Sequence, residues 1–244
     1  MSGYSSEIMT AVAINAILGM GLYVTWASGQ LSAAHASLAA LAGYTSGYLG
    51  ATYGWPFAVT ALCGIVAAGL VGALVALPTL RLKSLYLAIA TLAFSETMVV
   101  VVTNIETLGG AVGFAGVPLV TTPEMAVVAA IVVLVVIALM ERSPLMLAMR
   151  AVKNDEEAAA ASGINVPVVR VVSFGLGSMI AGISGVLYAH NIGVVGPVDF
   201  GFHRTVESLI YLFVGGSTVV LGPVVGAAIF TVMPEFLRFV EEYS

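Results

Sequence analysis

The chain has 244 residues, 60% of them hydrophobic and only 9% charged, with a mean hydropathy of +1.07 and a formal net charge of -5. A globular domain carries about 45–50% apolar and about 25% charged residues, so this chain cannot clothe a water-facing surface, and its composition fits a bilayer. Its one cysteine, Cys63, excludes an internal disulfide framework and a cysteine metal site.

Backbone groups in hydrocarbon must bond internally, so long apolar runs read as helices. At about 20 apolar residues per crossing, the length allows roughly seven to nine. Met1 to Glu7 lacks the basic segment of a secretory signal, and the run 8–27 is too long for a signal core, so it reads as a retained first span. Further runs follow at 31–51, 57–78, 84–104, 124–141, 168–190, 205–220 and 222–240. The expected fold is all-α: one transmembrane domain over 1–244, a bundle of about eight spans with a cytoplasmic loop at 142–167. Two breaks are ambiguous. Only Ser28-Gly29-Gln30 separates the first two runs, and Gly215-Gly216 to Gly222-Pro223 leaves seven spans or a half-helix open.

Orientation follows from lysine and arginine near span ends. Of the eight such residues, Arg81, Lys83, Arg142, Arg150, Lys153 and Arg170 fall on one side under strict alternation, which makes that side cytoplasmic, with Arg204 and Arg238 opposite. The connectors 105–123 and 191–204 are then external, as are both termini. Trp26, Tyr53 and Trp55 read as interfacial anchors. Gly64, Gly69 and Gly72, and then Gly175, Gly177, Gly182 and Gly185, form small-residue faces suited to close helix packing.

One stretch departs from this composition, from Glu141 through Pro167. Ser143-Pro144 signals a helix start, and Leu145, Met146, Met149 and Val152 recur on one face. Asp155, Glu156 and Glu157 sit in the first turn of a second short helix, near its positive end, and Gly163 stops it. Two short helices at the cytoplasmic surface are expected. Glu157-Ala158-Ala159, three residues, then Gly163 reproduces the EAA-x-x-x-G pattern of permease subunits of ATP-binding-cassette importers. The second half of that pattern, an isoleucine followed by Leu-Pro, is absent: Ser173 and Phe174-Gly175 stand there.

The wider chain resembles the permeases of branched-chain amino acid importers, the LivM type in particular. The likeness runs from Gly29-Gln30-Leu31-Ser32 through His35-Ala36 and Gly43-Tyr44-Thr45. It continues in Leu80-Arg81-Leu82-Lys83, Tyr86 to Phe94, Glu96, and Gly113 to Pro118. The strongest block spans Arg150 to Pro234 and includes Glu207, Gly215-Gly216 and Leu221 to Ala227. Such permeases usually carry one more hydrophobic segment at each end, and loss of both accounts for two external termini. The resemblance implies that 155–163 docks into an ATPase. It also implies a second homologous permease subunit, two cytoplasmic ATP-binding subunits and an extracytoplasmic substrate-binding protein meeting 191–204. The setting it implies is a bacterial or archaeal cytoplasmic membrane, with lipid around the chain and no nucleic acid.

Ionisable groups inside a membrane are costly and often functional. Gln30, Ser32 and His35 open the second run, where His35 either faces the path or packs against a neighbouring helix. Glu96 and Glu207 are candidates for the path, but structural roles come first for both, because Arg204 lies three residues from Glu207, a helix-surface pairing distance. His190, His203 and Asp199 are too loosely arranged for a metal site, and no cofactor is expected. No G-x-x-x-x-G-K-[ST], H-E-x-x-H or G-x-S-x-G occurs, so the chain is not read as an enzyme and any ATPase belongs to another subunit. The expected function is a permease subunit for branched-chain or other hydrophobic amino acids or related amides. The rivals are an ion-coupled secondary transporter or channel, and a membrane scaffold.

Overall fold

The computed structural model describes residues 3–82 and 84–241, with side chains over 5–82 and 84–233. Lys83 of the basic loop and the side chain of Arg238 lie outside these. Ten α-helices occur among the described residues. They are α1 (Gly3–Trp26), α2 (His35–Tyr53), α3 (Phe57–Thr79), α4 (Ser84–Thr103), α5 (Pro123–Met140), α6 (Pro144–Asn154), α7 (Glu156–Ala161), α8 (Val166–Ile192), α9 (Phe202–Gly215) and α10 (Gly222–Glu241). Two short strands, β1 (Phe114–Ala115) and β2 (Val194–Val195), pair antiparallel.

Each predicted run is a helix. Five of them, α1, α3, α4, α5 and α8, are long and apolar enough to cross a bilayer unaided. The seventh run is the exception. Helix α9 has 14 residues, about 21 Å at 1.5 Å per residue against roughly 30 Å of hydrocarbon. Helix α9 is therefore too short to cross alone, in keeping with the half-helix alternative that the sequence left open.

Helix α8 is the axis of the bundle, packed against α1, α2 and α3. Its small-residue face permits this: a Cβ on Gly177 would strike Gly21 and Thr25 of α1, one on Gly182 would meet Ala68 of α3 at 3.0 Å, and one on Gly185 would strike Ala39 of α2. Outward-facing Leu70, Leu74, Ile89 and Leu139 are exposed, an arrangement suited to lipid and unsuited to water.

The ends of the bundle differ. At one end Arg170 donates to Leu80 O at 2.9 Å and Ser84 Oγ to Gly29 O at 2.9 Å, which brings the basic connectors together as the charge argument expected. At the other end the β1–β2 pair clamps the connectors 105–122 and 193–201 to each other.

Candidate functional site

At the basic end, α6 and α7 form the two predicted surface helices. Ser143 caps α6, accepting from Met146 N at 3.3 Å, with Pro144 in the first turn. Met146 and Met149 are 0% exposed and, with Val152, anchor α6 against Ala27, Val166 and Val169. Asp155 caps α7 through Ala158 N at 2.9 Å, which explains an acidic residue at that position. The chain then leaves α7 through a left-handed Gly163 at φ +85, with Gly163 N donating to Ala160 O and Ile164 N to Ala159 O. A glycine adopts that conformation without strain. The spacing of the motif thus has a local cause: Ala159 faces the core, Glu157 and Ala158 stay exposed, and Gly163 turns the chain back.

This element is tied to the membrane helices by charge. Arg150 pairs with Glu141, which also accepts from Tyr23 Oη of α1 at 2.7 Å. Glu156 pairs with Arg170 of α8 at 2.7 Å. Lys153 lies 4.2 Å from the centre of the Trp26 ring, and burial, with Arg150 second, pushes its ammonium below the ordinary lysine value. Sequence reasoning counted Arg170 and Glu141 only as loop charges and missed these ties.

Between α1 and α2 the chain turns at Ala27–Gly29 and runs back into the bundle without helical structure. Its depth can be read from α4. Gly29 is bonded to Ser84 and Ala33 N to Thr91 Oγ1 at 2.8 Å, seven residues or about 10 Å further in. Irregular backbone survives at that depth only when its polar groups are bonded within the protein. Hydroxyls do this here: Ser84 serves Gly29 O, Thr91 serves Ala33 N, Ser32 accepts from Ala34 N at 3.1 Å, and Thr205 of α9 donates to Ala33 O at 3.4 Å.

Gln30 donates to Arg170 O at 3.2 Å, so it holds the turn to α8. His35 is 1% exposed; its Nε2 lies 2.9 Å from Thr25 Oγ1, while its Nδ1 has no partner among the described residues. Ser173, in the place where the general motif has an isoleucine, meets Ser28 Oγ at 2.6 Å beside this pair.

A second non-helical stretch leads into α9. Residues 191–204, expected as an external loop, leave Val198, Asp199, Phe202 and His203 exposed and turn Phe200 and Gly201 inward between them. Phe200 is 2% exposed, Gly201 is buried, and a Cβ on Gly201 would be 4.0 Å from Glu96 Oε1. Glu96 is twelve residues into α4, about 18 Å from that helix's basic end, so the start of α9 lies beside the later half of α4. Glu207 accepts from Arg204 at 3.1 Å and from Tyr211 Oη at 3.3 Å, with His203 Nε2 at 3.3 Å. His190 is bonded to Ser46 and Pro118 at 2.8 Å each, and no cluster able to hold a metal occurs among the described residues.

The two non-helical stretches flank a partly open cavity of about 270 Å³ bordered by α2, α4, Leu108 and the 197–200 segment. Leu41, Leu49, Val99, Val102 and Phe200 line it, with Ser37 and Tyr44 as buried polar residues, of which Ser37 is bonded to Ala34 O. The structure therefore places Gln30, Ser32 and His35 at the entry to α2 with separate partners, sets Glu96 one turn from the cavity lining, and keeps 155–163 at the basic end. Tyr44 and Ser95 were not among the predicted site residues, because a hydroxyl in an apolar run carries no signal until its neighbours are known.

The model of the family described as "Branched-chain amino acid transport system / permease component" matches residues 4–243. The chain is 29% identical over 277 residues to the high-affinity branched-chain amino acid transport system permease protein LivM of Salmonella typhimurium, covering 98% of this chain and 65% of the relative. It is 28% identical over 275 residues to the protein of that name from Escherichia coli, covering 98% and 64%. This chain thus spans about two thirds of the length of these curated relatives. No solved structure gives a significant match. A match across nearly the whole chain, on a multi-pass helical bundle, shows that the protein belongs to the family of branched-chain amino acid transport system permease components.

Proposed function

We propose that this chain is a membrane-spanning subunit of an ATP-driven importer for branched-chain or similar hydrophobic amino acids. The observation that carries the reading is the 155–163 element. It is a capped, glycine-terminated helix, exposed on one side and joined through Glu156 and Arg170 to the central helix α8. Such a part transmits a push. In this reading two cytoplasmic ATPases dock on α6 and α7, a second similar permease completes the path, and a soluble protein delivers substrate outside a bacterial inner membrane. ATP-driven movement of the ATPases shifts the bundle between access states, to the extent that nucleotide favours one state over the other.

The test is capture of the chain from its native membrane, beside the double variant Glu157→Ala, Gly163→Pro. Proline cannot adopt φ +85 and removes the N–H bonded to Ala160 O. An ATPase subunit should accompany the native chain and be lost from the variant while both remain in the membrane. Absence of an ATPase from both would overturn the reading and send attention to ion-coupled transport through Glu96 and Glu207.

A further inference from the structure

Seven buried side-chain polar atoms have no hydrogen-bond partner among the described residues; one, Tyr44 Oη, belongs to a residue lining the cavity, and two, Ser95 Oγ and Glu96 Oε1, sit on α4 just before its lining residues. Tyr44 is 4% exposed and lines the cavity, Ser95 is 0% exposed, and Ser95 and Glu96 lie one turn before the lining residue Val99. A buried polar atom without a partner forfeits about 1–3 kcal/mol, and native proteins carry few of them. Three beside one apolar cavity fit a site whose ligand brings the missing partners.

Shape and charge narrow the ligand. The cavity, at about 270 Å³, lies just below the roughly 300–1,000 Å³ of drug-sized sites, so the ligand is small. Its walls are aliphatic and aromatic, which calls for an apolar body. The charged groups closest in sequence to the lining residues are anionic: Glu96, and Asp199 next to Phe200. The nearby cation Arg204 is already engaged by Glu207. The first turn of α9 has no side-chain cap and faces Glu96, which favours negative charge there. A cationic end on the ligand completes the arrangement.

We propose that this cavity binds the aliphatic side chain of an amino acid whose ammonium group is held at Glu96 and Tyr44. The proposal rests on the importer reading only for how the ligand arrives. It discriminates between substrates that the sequence left open, since a neutral amide of the same skeleton has no charge to offer Glu96.

The experiment places a cysteine in the cavity, Val102→Cys, with Cys63→Ser, in native membrane vesicles holding the full chain and its companion subunits. A membrane-permeant maleimide labels it in the presence of leucine or of 4-methylpentanamide, the same skeleton without the ammonium. For a millimolar Kd, about 10 mM leucine should slow labelling roughly tenfold. The amide should leave the rate unchanged, as should leucine for a cysteine at the exposed external position Val112. Adding Glu96→Gln should abolish protection, and so should Leu41→Phe, which narrows the cavity; each variant is first checked for monodispersity. No protection by leucine, equal protection by the amide, or protection retained in a folded Glu96→Gln variant would overturn the proposal. ATP-driven leucine uptake by the same vesicles tests the importer reading separately: protection without uptake would keep the site and discard the importer.

Discussion

A single methyl group added at two glycines should move stability in opposite directions. Gly21 of α1 faces α8 so closely that an alanine Cβ would lie 2.6 Å from Gly177 O and 2.8 Å from Ala181 N. Both neighbours are backbone, so no rotamer change relieves the contact, and the helices must part by most of an ångström to reach an ordinary separation. Overpacking of this kind costs about 1–3 kcal/mol. The gain from replacing a mid-helix glycine by alanine returns about 0.5–1 kcal/mol, leaving a net destabilisation of about 0–2.5 kcal/mol, centred on about 1. For a chain of this size a loss of about 1 kcal/mol lowers Tm by about 2–4 °C. Gly175 of α8 is the control: its added Cβ would meet Gly69 O at 3.4 Å and Ala73 Cβ at 3.5 Å, near ordinary contact, so Gly175→Ala should leave Tm unchanged or raise it. Thermal unfolding of both variants in one detergent reads the difference. A Gly21→Ala protein as stable as wild type, or equal losses in both, would refute the claim that backbone approach at α1–α8 sets the bundle geometry.

Three further outcomes follow from the surface element formed by α6 and α7. Asp155→Ala removes the cap of α7 and should cost about 1 kcal/mol locally, seen as faster amide hydrogen exchange at Ala158, with Asp155→Asn close to wild type. Glu156→Gln and Arg170→Gln should show a coupling of about 0.5–1 kcal/mol in a double-mutant cycle, because the pair is partly exposed; additive losses would remove this pair as a link. Lys153 is held below its ordinary value by burial and then by Arg150. The unfolded chain therefore binds the extra proton, and stability contributed at this residue rises as pH climbs through the folded pKa towards 10.5. Arg150→Gln should raise the Lys153 pKa in competitive amine labelling, and an unchanged or lower value would show that Arg150 does not depress it.

Long features were legible because few alternatives satisfy them. An apolar run of some twenty residues in lipid has one backbone solution, so all eight runs are helices, and the acidic-alanine-glycine order marked the surface element. Depth was not legible. Nothing in Ser28 to Ala34 says that this stretch re-enters the bundle, since that depends on Ser84, Thr91 and Thr205 arriving from distant helices. The seventh run misled for a related reason. Residues 216–220 are apolar enough to extend α9, but the helix stops at Gly215 and the chain turns into α10. The cavity was hidden too, because Tyr44 and Glu96 lie on separate helices whose relative register sequence does not state.

Several buried hydroxyls nevertheless share a purpose. In hydrocarbon a regular helix satisfies its own backbone, whereas the interrupted stretch 28–34 needs partners from outside. Ser84 and Thr91 lie one above the other on α4 and meet the backbone of 29–33, while Thr205 and Ser32 meet it from other sides. Thr25, Ser28 and Ser173 continue the same seam to His35, at the foot of the helix that walls the cavity. Starting instead from the surface helices, Glu156 reaches Arg170, whose carbonyl accepts from Gln30 and from Ser173. One continuous polar seam thus joins the surface element to the base of α2, through a region where helical structure is interrupted and rearrangement meets the least resistance. Breaking it at Ser173→Ala, which leaves both ends intact, should spare ATPase capture and lower substrate uptake per ATP; unchanged uptake would show that motion reaches the cavity by rigid tilting of α8 instead.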